Sequence, residues 1–75
     1  MAKKFRLDGS LIRDARESAG KRREAVAVEV GVSAAYISMI ELGYRRPPME
    51  TLAAVCRAVG IPVDVCFVED DEVPA

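Results

Sequence analysis

Residues 22–43 read RREAVAVEVGVSAAYISMIELG, and this stretch decides the architecture. From about Arg23, the apolar residues Val26, Ala27 and Val30 recur at helical spacing. Gly31 ends that pattern, since glycine takes the left-handed backbone that closes a helix. Two residues on, Ser33 offers a hydroxyl to cap a third helix, which carries Ile37 and Ile40 three apart and stops at Gly43. Gly31-Val32-Ser33 is therefore a turn of three residues. Glycine permits the bend, Val32 plugs the core, and Ser33 opens the next helix.

Working outward, Ser10 is read as the cap of a first helix with Leu11, Ile12, Ala15 and Ala19 inward, ending at Gly20. Tyr44-Arg45-Arg46-Pro47-Pro48 is a loop, because paired prolines forbid a helix running into them. A fourth helix covers about Met49 to Val59, with Leu52, Val55, Cys56 and Val59 on one face and Gly60 after it. Residues 61–68 are apolar, and their alternation is too brief to choose between one helical turn and a strand. Residues 1–9 read as a basic arm, with Lys3, Lys4 and Arg6 interleaved with Phe5 and Leu7. Residues 69–75 read as an acidic, disordered tail. The expected fold is all-α, a compact bundle of four to five short helices in one domain over 10–68.

A chain of 75 residues has room for one modest core. Its two cysteines, Cys56 and Cys66, and its lack of histidine exclude a four-ligand zinc site and a disulfide-rich secreted scaffold. No metal, cofactor or small-molecule ligand is expected. No apolar run approaches a membrane span of about 20 residues, and the N-terminus lacks a hydrophobic signal core. A cytoplasmic, nucleoid-associated protein is the expectation. Nothing points to an enzyme, as there is no histidine, glycine-rich phosphate loop or evident carboxylate pair.

The net charge of -1 conceals a division along the chain. Glu69, Asp70, Asp71 and Glu72 are four of the twelve acids, so the first 68 residues hold eleven basic groups against eight acidic ones. Residues 1–46 hold ten against six. A basic N-terminal two-thirds precedes an acidic end.

The turn at 31–33 makes residues 22–41 a helix-turn-helix. Together with Tyr36-Ile37-Ser38, Ile40-Glu41, Gly43, Arg46-Pro47 and Glu50-Thr51-Leu52, it closely resembles the lambda-type repressor and Cro family of transcription regulators, over about Leu11 to Phe67. The resemblance implies a lambda repressor-like domain that binds double-stranded operator DNA as a homodimer. The second helix would cross the phosphate backbone and the third would lie in the major groove. Ser33, Ala34, Ala35, Tyr36, Ser38 and Met39 take the groove-facing positions, while Ile37 and Ile40 face the core. Arg16 and Glu41 match a partly buried salt bridge between the first and third helices.

Two departures from the family pattern stand out. Lys21-Arg22-Arg23 opens the second helix where relatives place serine or threonine, then glutamine. Cations there oppose the macrodipole at a few tenths to ~1 kcal/mol each, which suggests a phosphate-binding role. Tyr44, Arg45 and Arg46 are candidates for the same work. Ala34 and Ala35 stand where relatives carry polar base readers, so readout would rest on thymine methyls, hydroxyls and DNA shape.

Val63, Val65 and Phe67 are the candidate dimer interface, or else they close the core beneath the fourth helix. The alternative to DNA binding is a protein-interaction module that keeps the fold and binds DNA weakly or not at all.

Overall fold

The computed structural model describes residues 4–69. In chain order it contains strand β1 (Phe5–Leu7), helices α1 (Gly9–Ser18), α2 (Arg23–Val30), α3 (Ala34–Leu42) and α4 (Met49–Val59), a 3-10 turn at Val63–Cys66, and strand β2 (Phe67–Glu69). The core lies where the inner faces of the four helices meet. Ile12, Val26, Ile37, Ile40, Leu52, Val55, Cys56 and Cys66 are fully buried there. Each such aliphatic side chain contributes about 1.5–3 kcal/mol by leaving water. Gly31, Gly43 and Gly60 each close a helix with positive φ.

Three features differ from the sequence expectation. The helical bundle carries a small antiparallel ribbon, in which Phe5 faces Glu69, Arg6 faces Val68 and Leu7 faces Phe67. Residues 5–7 of the expected arm are thus a strand, and residues 61–68 supply both of the alternatives, a 3-10 turn and then a strand. The Asp8 amide continues the pairing, donating to the Cys66 carbonyl over 2.8 Å. Residues 1–3 of the arm and 70–75 of the acidic tail lie outside the described residues.

The cap of α1 is Asp8, not Ser10. Asp8 has the extended backbone a cap requires, and its Oδ1 accepts from the Ser10 amide at 3.0 Å and the Ser10 hydroxyl at 2.6 Å. The hydroxyl bond is the main reason the Asp8 carboxyl is held below its ordinary pKa.

Gly9, read as the end of the arm, is the first residue of α1 and is buried. A β-carbon here would collide with the backbone oxygen of Ile40 and stand 2.7 Å from that of Glu41. Only glycine lets the start of α1 sit this closely on the C-terminal half of α3. The buried thiols of Cys56 and Cys66 lie 3.1 Å apart and join α4 to the turn before β2. Burial pushes both up, Cys56 to about 12.

Candidate nucleic-acid interface

The chain bends by 108° between α2 and α3. At the bend Gly31 has φ 87°, and the amides of Gly31 and Val32 both donate to the Ala27 carbonyl, at 2.8 and 3.0 Å. Ser33 then caps α3, its Oγ accepting from the Tyr36 amide at 3.0 Å. The turn is thereby fixed by backbone and side-chain bonds at once.

Helix α3 divides into two faces. Ile37, Ile40 and Glu41 are buried. Ala35 and Leu42 are exposed, and Ser38 and Met39 are half-buried between them at the spacing of a single face. Ser33 is exposed at the cap. Ala34 and Tyr36 are half-buried and pack against the core cluster, so they present less surface than their groove-facing assignment implies. Leu42, 62 % exposed, was not among the expected reading positions. Its place seven residues after Ala35 is the signal that identifies it. No residue on this face has a polar side chain longer than that of serine.

Beneath α3 lies a charged group of three. Arg16 Nε donates to Glu41 Oε2 at 2.7 Å, and Arg16 Nη2 donates to Oε1 at 3.3 Å. Arg16 Nη1 reaches the Lys21 carbonyl at 3.0 Å. The guanidinium is thus spent on two elements at once, and the carboxylate beside it raises its pKa further. Arg23 Nε approaches the same carboxylate from the solvent side, 3.1 Å from Oε1. Arg23 therefore has a structural role that its placement in a surface cluster did not reveal.

Lys21 departs furthest from its expected role. Its ammonium donates to the Ala58 carbonyl at 2.7 Å and pairs with Glu29 Oε2 at 3.0 Å. The first bond holds the α1–α2 loop to the C-terminal end of α4 and the second holds it to α2, which leaves Lys21 poorly placed as a free phosphate ligand.

The remaining candidates are less committed. Arg22 is exposed at the start of α2, where no side chain caps the first amides. Tyr44, Arg45 and Arg46 are exposed in the loop after α3, whose Tyr44 and Arg45 amides fold back onto the Met39 carbonyl. Arg46 lies over the Phe67 ring, 5.5 Å from its centroid. Among the described residues no carboxylate pairs with Arg22, Arg45 or Arg46. Of the candidate dimer residues, Val63 and Phe67 pack against the core cluster, whereas Val65 is 49 % exposed.

A family model described as helix-turn-helix matches residues 12–66. The transcriptional regulator ClgR of Mycobacterium tuberculosis is 36% identical over 64 residues, which is 85% of this chain and 57% of that protein. The chain thus spans little more than half the length of that relative. Among solved structures, the clp gene regulator ClgR from Corynebacterium glutamicum is 33% identical with a TM-score of 0.71, over 77% of this chain and 75% of that one. The P22 c2 repressor, solved with a synthetic operator, is 33% identical with a TM-score of 0.75, over 81% of this chain and 92% of that one. The matched span contains α2, the bend and α3, the very elements built above, and the chain belongs to the Cro/C1-type helix-turn-helix family.

Proposed function

We propose that this protein is a sequence-specific transcriptional regulator that places α3 in the major groove of a two-fold DNA operator and binds it as a homodimer. The observation that carries the reading is the outward face of α3. Ala35, Ser38, Met39 and Leu42 form an uncommitted face, followed in the chain by the exposed cations Arg45 and Arg46 and preceded at the start of α2 by Arg22. In this arrangement the cations hold phosphates and fix the register, while the α3 face meets the bases. The P22 c2 repressor, a similar fold, was solved on an operator, and the ClgR relatives are named as regulators, which supports the same reading.

The chemistry of that face sets the kind of readout. Methyl and thioether groups touch thymine methyls, and serine hydroxyls bond either way. Nothing on the face makes the bidentate purine contacts worth about 1–3 kcal/mol each. Discrimination at each base pair is therefore modest, and DNA shape carries part of it. Groove-facing roles for Ser33, Ala34 and Tyr36, and phosphate roles for Arg23 and Tyr44, belong to the same proposal. Val65 is the exposed member of the proposed dimer contact. No single helix among the described residues is long and apolar enough to cross a membrane, which fits a place on the nucleoid in the cytoplasm.

The test is selection of bound sequences from random duplex DNA, followed by a base-by-base scan of the selected site. A two-fold site with thymines opposite Ala34 or Ala35 supports the proposal, and a dominant guanine requirement there overturns this mode of readout. Sedimentation across concentrations tests the homodimer. A second reading, a protein-contact module, draws on the exposed apolar residues Leu42, Tyr44 and Met49 around the end of α3. A gel shift at low salt separates the two, since that module leaves duplex DNA unshifted.

A further inference from the structure

Arg46 is anchored twice without spending its charge on an ion pair. Its backbone precedes Pro47, which favours extended conformations there, and Pro47 is buried. The residue is exposed, yet its Cζ lies over the Phe67 ring, 5.5 Å from the centroid and within reach of a cation–π attraction. Phe67 sits in β2 opposite Leu7 and packs against the core cluster, so the ring is itself held in place. It is only half-buried, which leaves it open to Arg46. An attraction centred on the guanidinium leaves its in-plane N–H donors for another acceptor. Among the described residues no carboxylate takes those donors. Arg45, the adjacent cation, has neither a ring nor a carboxylate partner among the described residues. Of the two loop arginines, Arg46 alone is steadied by a side chain from another element.

We propose that Phe67 is a positioning residue for DNA binding, its ring holding the Arg46 guanidinium ready for a phosphodiester beside the groove that α3 occupies. The inference rests on the DNA-binding reading above and adds to it a residue of β2, outside the helix-turn-helix. Phe67 makes no contact with DNA in this account and acts only through Arg46. A free arginine surrenders many rotamers when it grips a phosphate, and one already laid over a ring surrenders fewer. The guanidinium fork then meets two phosphodiester oxygens with parallel bonds. A phosphate contact carries no base information, so Phe67 strengthens binding to every sequence alike. The ribbon thereby serves the binding surface in addition to closing the fold.

The experiment is a double-mutant cycle read by fluorescence anisotropy of the full chain on a labelled duplex carrying the selected site, and on a scrambled duplex. Phe67→Leu removes the ring and keeps an apolar side chain against the core; Phe67→Met, run beside it, does the same with a different fill. Urea melts establish that each variant is folded under the assay conditions. Either change is expected to weaken binding to both duplexes by about two- to fivefold, and Phe67→Tyr, which keeps the ring, to stay near the unmodified protein. In an Arg46→Gln background the loss on removing the ring is expected to vanish, whereas in an Arg45→Gln background it persists. A loss of the same size with and without Arg46 means that Phe67 acts through the fold or a dimer contact. That result, or no loss at all in the folded variants, overturns the positioning role and leaves the DNA-binding reading intact. Failure of the unmodified protein to bind either duplex at low salt overturns both.

Discussion

Arg16 and Glu41 are joined through both sides of the guanidinium fork, 2.7 Å at one oxygen and 3.3 Å at the other, with the carboxylate almost wholly shielded from water. The pair ties α1 to the end of α3, and Arg23 completes the carboxylate from outside. Removing Glu41 strands the Arg16 guanidinium in the interior, and removing Arg16 leaves the buried carboxylate only the half-exposed Arg23 at one oxygen, whereas removing Arg23 leaves Glu41 bonded at both. Arg16→Ala or Glu41→Ala is expected to cost about 3–5 kcal/mol in urea unfolding. Arg23→Ala, at a side chain 45% exposed, is expected to cost under about 1 kcal/mol. Equal losses for the two arginines would contradict this division.

Gly9→Ala offers a contrast with helix propensity. At a helical position alanine is ordinarily better than glycine by about 1 kcal/mol. Here the added carbon meets the backbone oxygens of Ile40 and Glu41, so the same change is expected to destabilise by about 1–3 kcal/mol. Chemical denaturation of the variant reads the sign directly.

The thiol of Cys56 makes stability pH-dependent on the alkaline side. Its pKa rises from an ordinary 9.0 to about 12, mainly through burial. The folded state therefore holds the proton more tightly than the unfolded chain does. That contribution is complete below about pH 9 and is lost as the pH climbs toward 12. Thermal melts are expected to fall over this window, and Cys56→Ala to flatten the fall while lowering stability near neutrality. In the native protein both thiols should resist a water-soluble alkylating reagent and react once urea is added.

Lys21 and Arg22 are adjacent in sequence and opposite in employment. Lys21→Met is expected to lower stability by up to about 1 kcal/mol and to leave the salt dependence of DNA binding unchanged. Arg22→Met should do the reverse, reducing the salt slope by about one with little effect on unfolding. Salt titrations and urea melts of the two variants check the pair together.

What was legible in the sequence is what local chemistry dictates. The bend at Gly31, the Ser33 cap, the inward set of Ile37 and Ile40, and the prolines that end the loop each act within a few residues. Each therefore leaves its mark in a short window. The ribbon does not, because its two strands have three residues each and pair across almost the whole chain. Asp8 and Ser10 are both good caps two positions apart, and only the backbone at Asp8 decides between them. The partners of Lys21 and Arg23 are set by packing, so a run of three cations could not be divided in advance into one held within the fold, one free and one shared. Gly9 looked like the end of an arm because nothing near it in sequence reveals the backbone of α3 lying against it.

The ribbon also gives the domain an unusual connectivity. Leu7 and Phe67, near the two ends of the described chain, are direct neighbours across a hydrogen-bonded ladder. Topologically the polypeptide is a ring fastened by amide hydrogen bonds instead of by a peptide link. In such a ring the place where the backbone begins is arbitrary as far as the core is concerned. A permuted chain, bridged across the ribbon and opened in the exposed loop at Tyr44, would still bring the same ten buried side chains together.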